Sequence, residues 1–418
     1  MTSDAVVHAP RRRAILALPA CIAVVLGLTG VVAVRPAEAT STPVVADPAS
    51  SSALQKAADA VVEAGAIGQL SRVDDGLRVI RATSGRADRA TGRSLRNDDR
   101  FEIGSNTKTM IATVSLQLVA EGRLRLDEPV GNLLPGTNSA SSGGNAITLR
   151  MLLQHTSGLY SYTDPAFMAG VIAHPRARHR PEQLVAAALR HPLTFAPGTG
   201  WAYSDTNYLM VGMILQRVTG RTPADLIRDR IARPLGLRHT YLLTGAESDT
   251  GPGYAHGYLG TFTGPTTQPT IHYTDVSTWA LGSFAGTAGG VVSTAPELSR
   301  FLSALLGGRL LPPAQLAAMK TTVSAGAGTG IDYGLGIMRT DTPCGTVWGH
   351  TGSTFGHDSY MFGSADGRRT MVIDTTTDTE LNARSPGSNP IKDAMAAAVG
   401  SASLTAVCTM FGEAVPAA

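Results

Sequence analysis

Strand-like segments are confined to the two ends of this chain, and that distribution constrains its fold more than any other feature. Between them lie helical patterns and loops rich in Gly, Pro and Thr. The last two strand-like segments are joined across Asp366-Gly367, which is a favoured hairpin turn. The sequence therefore predicts an α/β (α+β) fold, with an antiparallel sheet flanked by helices, built from both chain ends around a mainly helical insertion. The strand-like segments are residues 76–83, 100–103, 345–350, 358–363 and 370–376.

Helical spacing of apolar residues is clearest directly after Ser105, where Met110, Ile111, Val114 and Leu118 repeat at helical intervals. We expect that helix to end at Glu121-Gly122. Residues 251–278 show little periodicity and predict irregular loops. The other predicted helices are residues 53–65, 209–219, 223–232, 297–306 and 390–404.

The N-terminal segment has the pattern of a secretory signal peptide. Three arginines, Arg11 to Arg13, precede an apolar run over residues 14–34, and Ala37-Glu38-Ala39 follows. We predict a signal peptide over residues 1–39, a flexible leader over 40–52, and a secreted protein on the cell-wall side of the membrane, which it contacts only transiently through the signal. The apolar run is also long enough for an uncleaved anchor, and that alternative stays open.

Size and charge narrow the remaining possibilities. The chain has 418 residues, of which 43% are hydrophobic, enough for one large domain, predicted over residues 53–408 with a tail at 409–418. Lys plus Arg number 35 against 32 for Asp plus Glu. Nucleic-acid binding needs clustered basic charge, so we expect no nucleic-acid partner.

The cysteines fit export. Removal of Cys21 with the signal leaves Cys344 and Cys408, an even pair in an oxidising compartment, which form either a disulfide or two buried thiols. The spacing of His, Cys and Asp resembles no metal-ligand motif. We expect no metal and no organic cofactor.

Ser105 and Lys108 are the first candidate catalytic residues. Positions i and i+3 of a helix share a face, so the lysine amine can reach the serine hydroxyl. The positive potential at a helix N-terminus favours an anionic nucleophile and lowers the pKa of a nearby lysine. The alternative is an ordinary capping serine followed by a solvated lysine.

Two later segments add to this pair. Tyr203 is a candidate proton relay beside a cationic lysine, or else a packed aromatic residue. His350-Thr351-Gly352 ends a predicted strand, where a small residue lets a substrate backbone approach the strand edge. His350 supplies a polar or cationic group, and Thr351 a hydroxyl for a carboxylate.

The ordered set Ser-x-x-Lys, Tyr-x-polar and His-Thr-Gly resembles the penicillin-recognising serine enzymes. It is similar to class C β-lactamases and most similar to the Streptomyces-type secreted D-alanyl-D-alanine carboxypeptidases. This resemblance implies a β-lactamase/transpeptidase-like fold, with an α/β part at about 53–130 and 286–408 and a helical insertion at about 131–285. Further landmarks of that family are residues 101–105, 124–127, 148–159 and 333–336.

The resemblance also implies roles for individual residues. Ser105 forms the acyl-enzyme, and Lys108 and Tyr203 share the proton transfers. His350, Thr351 and Gly352 line the pocket. The remaining implied features are an oxyanion hole from the backbone N–H groups of Ser105 and Ser353, an aromatic wall at Trp279, and a Cys344–Cys408 disulfide.

Two departures from the family pattern concern the substrate. Asp205 stands where the family has asparagine, and a carboxylate accepts hydrogen bonds but does not donate them. It would either repel a substrate carboxylate or hold Lys108 charged. Met338 stands where the carboxypeptidases have an arginine, and the side chain of the adjacent Arg339 points to the other face of a strand. Whether Arg339 compensates stays open.

The sequence thus predicts a secreted serine hydrolase, foremost a D-alanyl-D-alanine carboxypeptidase that cleaves peptidoglycan stem peptides and is acylated by β-lactams. Its partners would be small peptide or β-lactam substrates. An esterase, a D-aminopeptidase or a β-lactamase with the same machinery is the first alternative. A non-catalytic β-lactam- or peptide-binding protein, disabled by Asp205, is the second. The absence of G-x-S-x-G argues against an α/β-hydrolase.

Overall fold

The computed structural model describes residues 48–136, 146–245, 248–265, 268–326, 329–378 and 389–416. The predicted signal peptide and the leader up to residue 47 lie outside the described residues. The leader prediction and the structure differ at residues 48–52, which are helical.

Within the described ranges the strands form three antiparallel sheets, and the fold class predicted from the sequence is confirmed. In the eight-stranded sheet the order is β2-β1-β13-β12-β11-β10-β9-β8, so strands from the two ends of the domain meet where β1 pairs with β13. A second sheet has the order β3-β7-β4, and β5 pairs with β6. The strands are β1 Gly68–Asp74, β2 Val79–Gly85, β3 Arg100–Glu102, β4 Tyr241–Leu242, β5 Tyr258–Thr263, β6 Thr270–Asp275, β7 Val291–Thr294, β8 Val323–Ser324, β9 Ile331–Tyr333, β10 Met338–Thr342, β11 Gly345–Ser353, β12 Asp358–Gly363 and β13 Thr370–Thr375.

Helices cover both faces of the large sheet. A π-helical turn, Arg228–Ala232, joins α8 to α9. The helices are α1 Pro48–Glu63, α2 Asn106–Ala120, α3 Val130–Leu133, α4 Leu149–Gln154, α5 Pro165–Ala173, α6 Pro181–Ala188, α7 Asp205–Thr219, α8 Pro223–Ile227, α9 Arg233–Leu235, α10 Leu281–Phe284, α11 Gly286–Gly289, α12 Ala295–Leu306, α13 Pro313–Met319 and α14 Pro390–Phe411.

The two covered faces explain why β13 has three consecutive buried apolar residues, Met371, Val372 and Ile373. Helices α1 and α14 pack on each other and on the sheet, while α2 and α12 pack on its β11–β13 region. Along β13, Met371 and Ile373 join the core beneath α1 and α14, whereas Val372 belongs to the other core. Successive strand residues point to opposite faces, so the three apolar residues are buried alternately on the two sides of the sheet.

Local signals set the start and the buried face of α12. The Thr294 hydroxyl accepts a hydrogen bond from the Glu297 backbone N–H, which caps the first turn. Leu298, Phe301 and Leu305 recur at helical spacing and are fully buried. Capping and periodicity here agree, and the predicted helix over 297–306 is observed two residues longer at its start, as Ala295–Leu306.

The prediction for residues 251–278 is wrong, because they contain the β5–β6 hairpin. Most side chains of β6 are partly or fully exposed, so the hairpin carries little of the apolar alternation by which a half-buried strand is recognised. Strand β1 was also not predicted.

Helix α14 extends beyond its predicted end. Among the described residues it is the one helix with the length and apolar composition of a membrane span. Half of its most apolar window is buried, and it packs against α1 and the sheet. These contacts make it a core helix of the domain.

Candidate active site

Ser105 lies between β3 and α2, at the mouth of a pocket. Its backbone caps the helix, but its side chain makes no capping hydrogen bond. The hydroxyl instead accepts a hydrogen bond from Lys108 Nζ at 2.9 Å. The alternative of an ordinary capping serine is therefore not what the structure shows.

Lys108 is fully buried, and each of its three ammonium hydrogens has an acceptor. Besides Ser105 Oγ, Nζ donates to Asp205 Oδ1 at 2.7 Å and to the Ala288 carbonyl at 2.7 Å. Burial lowers the pKa of Lys108, while the Asp205 carboxylate acts in the opposite direction. A buried amine beside a serine hydroxyl can take up and return the proton of that hydroxyl.

Asp205 is the first residue of α7, and its carboxylate joins two sides of the site. Oδ1 pairs with Lys108, and Oδ2 accepts a hydrogen bond from Thr163 Oγ1 at 2.8 Å. The side chain is 19% exposed, so the pocket can reach it. Two effects were expected for Asp205, repulsion of a substrate carboxylate or retention of the charge on Lys108. The structure shows its carboxylate in direct contact with the lysine.

Tyr203 lies above the same lysine. Lys108 Nζ is 4.7 Å from the centroid of its ring, and Tyr203 lines the pocket together with Ser105. The structure therefore brings the three residues predicted to carry out acyl and proton transfer into one site.

The third motif runs along β11 beside the nucleophile. Thr351, Gly352 and Ser353 line the pocket. A Cβ on Gly352 would collide with the Ile103 carbonyl, and one on Gly104 would lie 2.6 Å from the Ser353 nitrogen. The strand and the segment before Ser105 are thus packed backbone to backbone, and Ser105 and Ser353, the residues predicted to supply the oxyanion hole, line the same pocket.

His350 is fully buried and does not line the pocket. Its Nδ1 lies 2.5 Å from the Thr351 carbonyl, an acceptor, so Nδ1 carries the proton and Nε2 accepts from Tyr333 Oη at 2.8 Å. Burial, followed by the charge of Lys108, lowers the pKa of His350 to about 3. His350 is therefore neutral and buried away from the pocket, so it supplies no cation to a substrate.

The pocket has a volume of about 510 Å³ and combines a polar floor with an apolar wall. Among its described lining residues, Asp205 is the one charged side chain, and neither arginine nor lysine is present. The apolar wall consists of Met168, Trp201, Leu281, Phe284, Met338 and Phe355.

Two predicted substrate-binding residues are not brought to the pocket. Trp279 packs against Phe355, with ring centroids 5.0 Å apart, and Phe355 is the residue that lines the cavity. Arg339 forms ion pairs with Asp332 and Asp341, at 2.9 Å each, on the face opposite Met338. The question left open for Arg339 is resolved by β10, because side chains alternate along the strand and that of Arg339 points away from the pocket.

Cys344 and Cys408 lie at disulfide distance, with Cα atoms 5.1 Å apart. They connect the β10–β11 turn to the last turns of α14. Both lie outside the residues that line the pocket.

A family model described as Beta-lactamase matches residues 57–391. The chain belongs to the beta-lactamase family. This confirms the resemblance carried by the three motifs. Within the family, the chain is 28% identical to penicillin-binding protein 4* of Bacillus subtilis (strain 168) over 297 residues, which are 69% of this chain and 63% of that protein's length.

Two solved structures of this fold are also similar. A D-stereospecific amidohydrolase from Streptomyces sp. is 38% identical with a TM-score of 0.71, and the match covers 78% of this chain and 94% of that one. The D-amino acid amidase from Ochrobactrum anthropi SV3 is 27% identical with a TM-score of 0.69, covering 84% and 99%. The proteins to which this beta-lactamase family member is similar thus include a penicillin-binding protein, a D-stereospecific amidohydrolase and a D-amino acid amidase.

Several residues of this site were not predicted from the sequence. Thr163, whose hydroxyl donates to Asp205, lies four residues after the landmark at 148–159, so its position near that segment was an available signal. The apolar wall had no such signal, because Met168, Phe284 and Phe355 come from three distant segments that only folding brings together.

Proposed function

We propose that this protein hydrolyses the amide or ester bond of D-aminoacyl substrates that carry a free α-amine. One observation carries the proposal: the pocket beside Ser105 holds the Asp205 carboxylate and, among its described lining residues, no cation. A carboxylate can accept further hydrogen bonds at both oxygens, so an ammonium can bind there. A substrate carboxylate would meet no positive partner and one negative neighbour.

The remainder of the pocket supports a hydrophobic acyl group. Met168, Leu281, Phe284 and Phe355 offer an apolar surface that fits an aromatic or branched side chain. The D configuration is supported by the names of the two similar solved structures, a D-stereospecific amidohydrolase and a D-amino acid amidase.

The proposed reaction proceeds through an acyl-enzyme. Ser105 Oγ attacks the carbonyl carbon, its proton passes to neutral Lys108, and the N–H groups of Ser105 and Ser353 stabilise the oxyanion. Lys108 and Tyr203 deliver that proton to the leaving amine or alkoxide as the scissile bond breaks. Water then attacks the ester on Ser105 by the same proton route in reverse, which frees the D-amino acid.

A D-alanyl-D-alanine carboxypeptidase acting on peptidoglycan stem peptides is the second candidate. The match to a penicillin-binding protein favours it. Its substrate ends in a carboxylate, however, and Arg339 is occupied by two aspartates while Met338 faces the pocket. For this reason we place it second.

The test compares D-phenylalanine amide, its L enantiomer, N-acetyl-D-phenylalanine amide and an N-blocked peptide ending in D-Ala-D-Ala, with a Ser105→Ala variant as control. We expect turnover of D-phenylalanine amide and a kcat/KM lower by roughly 10- to 100-fold after N-acetylation, the effect of one charge-assisted hydrogen bond. A preference for the N-blocked D-Ala-D-Ala peptide would reverse the ranking of the two candidates. A further experiment incubates the protein with fluorescent penicillin and follows its intact mass, which distinguishes a stable adduct from β-lactamase turnover. If no substrate is turned over in a Ser105-dependent way, the result favours a binding protein.

We also propose that the protein is exported. The arginine-rich and apolar pattern before Ala39 supports export, as does a cysteine pair at disulfide distance, because disulfides persist in oxidising compartments. Expression of the full chain in an actinobacterial or other bacterial host, with N-terminal sequencing of the medium fraction, tests this. A mature N-terminus at Thr40 is expected, whereas intact protein retained inside the cell would contradict it.

A further inference from the structure

His155 lies at a backbone position that histidine seldom adopts. It ends α4 with φ 62° and ψ 29°, the one non-glycine residue with positive φ in the part of the chain that the structure describes. Its side chain is fully buried. A strained residue of this kind persists only where the surroundings hold it, and such residues cluster at functional sites.

His155 contacts the Tyr203 segment at three points. Its carbonyl accepts from the Ala202 N–H at 3.1 Å, its Nδ1 accepts from the Ser204 N–H at 3.2 Å, and its ring lies 4.3 Å from that of Tyr203 between centroids. The residues before and after Tyr203 are therefore both bonded to His155, and the tyrosine ring rests on the imidazole.

The hydrogen bonds define the state of the ring. Ser204 N–H can only donate, so Nδ1 carries the lone pair, and Asn207 Nδ2 lies 3.0 Å from the same atom. Asn207 is oriented by Ser157 Oγ, which donates to its Oδ1 at 2.7 Å. Burial, and then the charges of Lys108 and His350, lower the pKa of His155 well below its usual value. The imidazole is thus neutral, with its proton on Nε2.

We infer that His155 is a positioning residue that sets Tyr203 over Lys108 by accepting the Ser204 N–H at Nδ1. This inference depends on the proton-transfer role proposed for Tyr203, and it does not depend on the D-aminoacyl specificity. No contact from His155 to the pocket is required, because the residue acts through the backbone on either side of the tyrosine.

The test uses two variants of His155, one that keeps a hydrogen-bond acceptor at the place of Nδ1 and one that keeps only an aromatic ring. In His155→Asn, the side-chain carbonyl can occupy the place of Nδ1, and asparagine tolerates the left-handed backbone. In His155→Phe, the ring remains and the acceptor is lost. We expect the Phe variant to lose about 100-fold or more in kcat with KM within about threefold, the size of a general acid–base contribution. The Asn variant should stay within about tenfold of the parent kcat.

The assay substrate is p-nitrophenyl acetate, a neutral ester, so that failure on D-aminoacyl amides leaves this measurement readable. Rates are divided by the fraction of folded protein, taken from a urea unfolding curve of each variant, so that misfolded protein is not counted. A Phe variant with parental kcat, or an Asn variant as impaired as the Phe variant, would overturn the inference. As a measurement on the parent protein, nitrogen NMR of the histidine rings should show Nδ1 unprotonated, and a protonated Nδ1 would also overturn it.

Discussion

The hydrogen bonds of Lys108 make its protonation depend on a single partner. Its acceptors are a hydroxyl, a carbonyl and the Asp205 carboxylate, and the carboxylate alone carries charge. Burial favours the neutral amine and Asp205 favours the ammonium. Asp205, the residue that departs from the family pattern, therefore raises the pKa of Lys108, the candidate base, against the effect of burial.

Replacing Asp205 tests that dependence. In Asp205→Asn, burial acts on Lys108 without the opposing carboxylate, so its pKa falls and the acid limb of kcat/KM for a neutral ester moves to lower pH. For an amine-bearing substrate, kcat/KM should fall by roughly 10- to 100-fold, because one charge-assisted hydrogen bond is lost. The shift of the acid limb is read from the pH–rate profile on p-nitrophenyl acetate, and the fall in kcat/KM from the profile on D-phenylalanine amide.

Thr163→Val is the matched control, since it removes the hydrogen bond to Oδ2 and leaves the charge. We expect a much smaller change in both profiles. An acid limb that moves to higher pH in Asp205→Asn would show that the carboxylate does not hold the lysine proton.

Among the elements, the contact of β11 with the β3–α2 turn would set the geometry of the predicted oxyanion hole. Gly104 has φ +50°, and its position lies against the Ser353 backbone. Both the backbone conformation and the close approach require glycine. No side chain separates the two segments that carry the predicted oxyanion donors.

Gly104→Ala should therefore move Ser353 away from Ser105. Loss of one oxyanion donor costs about 10²–10³ in kcat, and we expect a loss of that size measured on p-nitrophenyl acetate. The control is Gly400→Ala in α14, where a Cβ meets nothing within 4 Å. That variant should keep its activity and gain about 0.5–1 kcal/mol in the free energy of unfolding. Equal activity in both variants would contradict the proposed geometry.

At the scale of the whole molecule, neutral buried histidines couple stability to pH. The pKa of His350 is about 3 in the folded protein and that of His155 also lies well below 6.5, the ordinary histidine value. Unfolding lets both rings take up protons. Their contribution to stability is thus present above about pH 6.5 and is lost as the pH falls toward 3. His357, whose pKa Asp374 raises against the effect of burial, has the opposite sign, and its contribution is lost as the pH rises.

Urea unfolding at pH 7 and pH 5 checks this coupling. Between these values His350 alone should account for about 2 kcal/mol of lost unfolding free energy, so His350→Gln should lose less stability than the parent by about that amount. His174→Gln, at an exposed position, should behave as the parent does. Parallel losses in the parent and His350→Gln would show that the imidazole is not held neutral.

The features that the sequence determined by itself are those set by covalent spacing. Ser105 and Lys108 meet because three residues of helix bring them to one face, whatever surrounds that helix. Strand β12 was predicted at its observed bounds, because the Asp366-Gly367 turn signal marks the hairpin that it forms with β13. The order of elements along the chain likewise sufficed for the fold class, since the described strands of the eight-stranded sheet all come from near the two ends of the domain.

Tertiary structure alone decided what meets that serine and lysine. Asp205 and Ala288 reach Lys108 from distant parts of the chain, and Met338 faces the pocket because β10 pairs with β11 in one particular register. A slip of one residue would exchange Met338 for Arg339 and place a cation in the pocket. The register depends on the burial of a whole face of the sheet. Because residues from distant segments contribute to that face, no single local segment specifies the register. The lack of an arginine among the described residues that line the pocket is therefore a property of the packed sheet, whereas the Ser105–Lys108 pair is already a property of the helix.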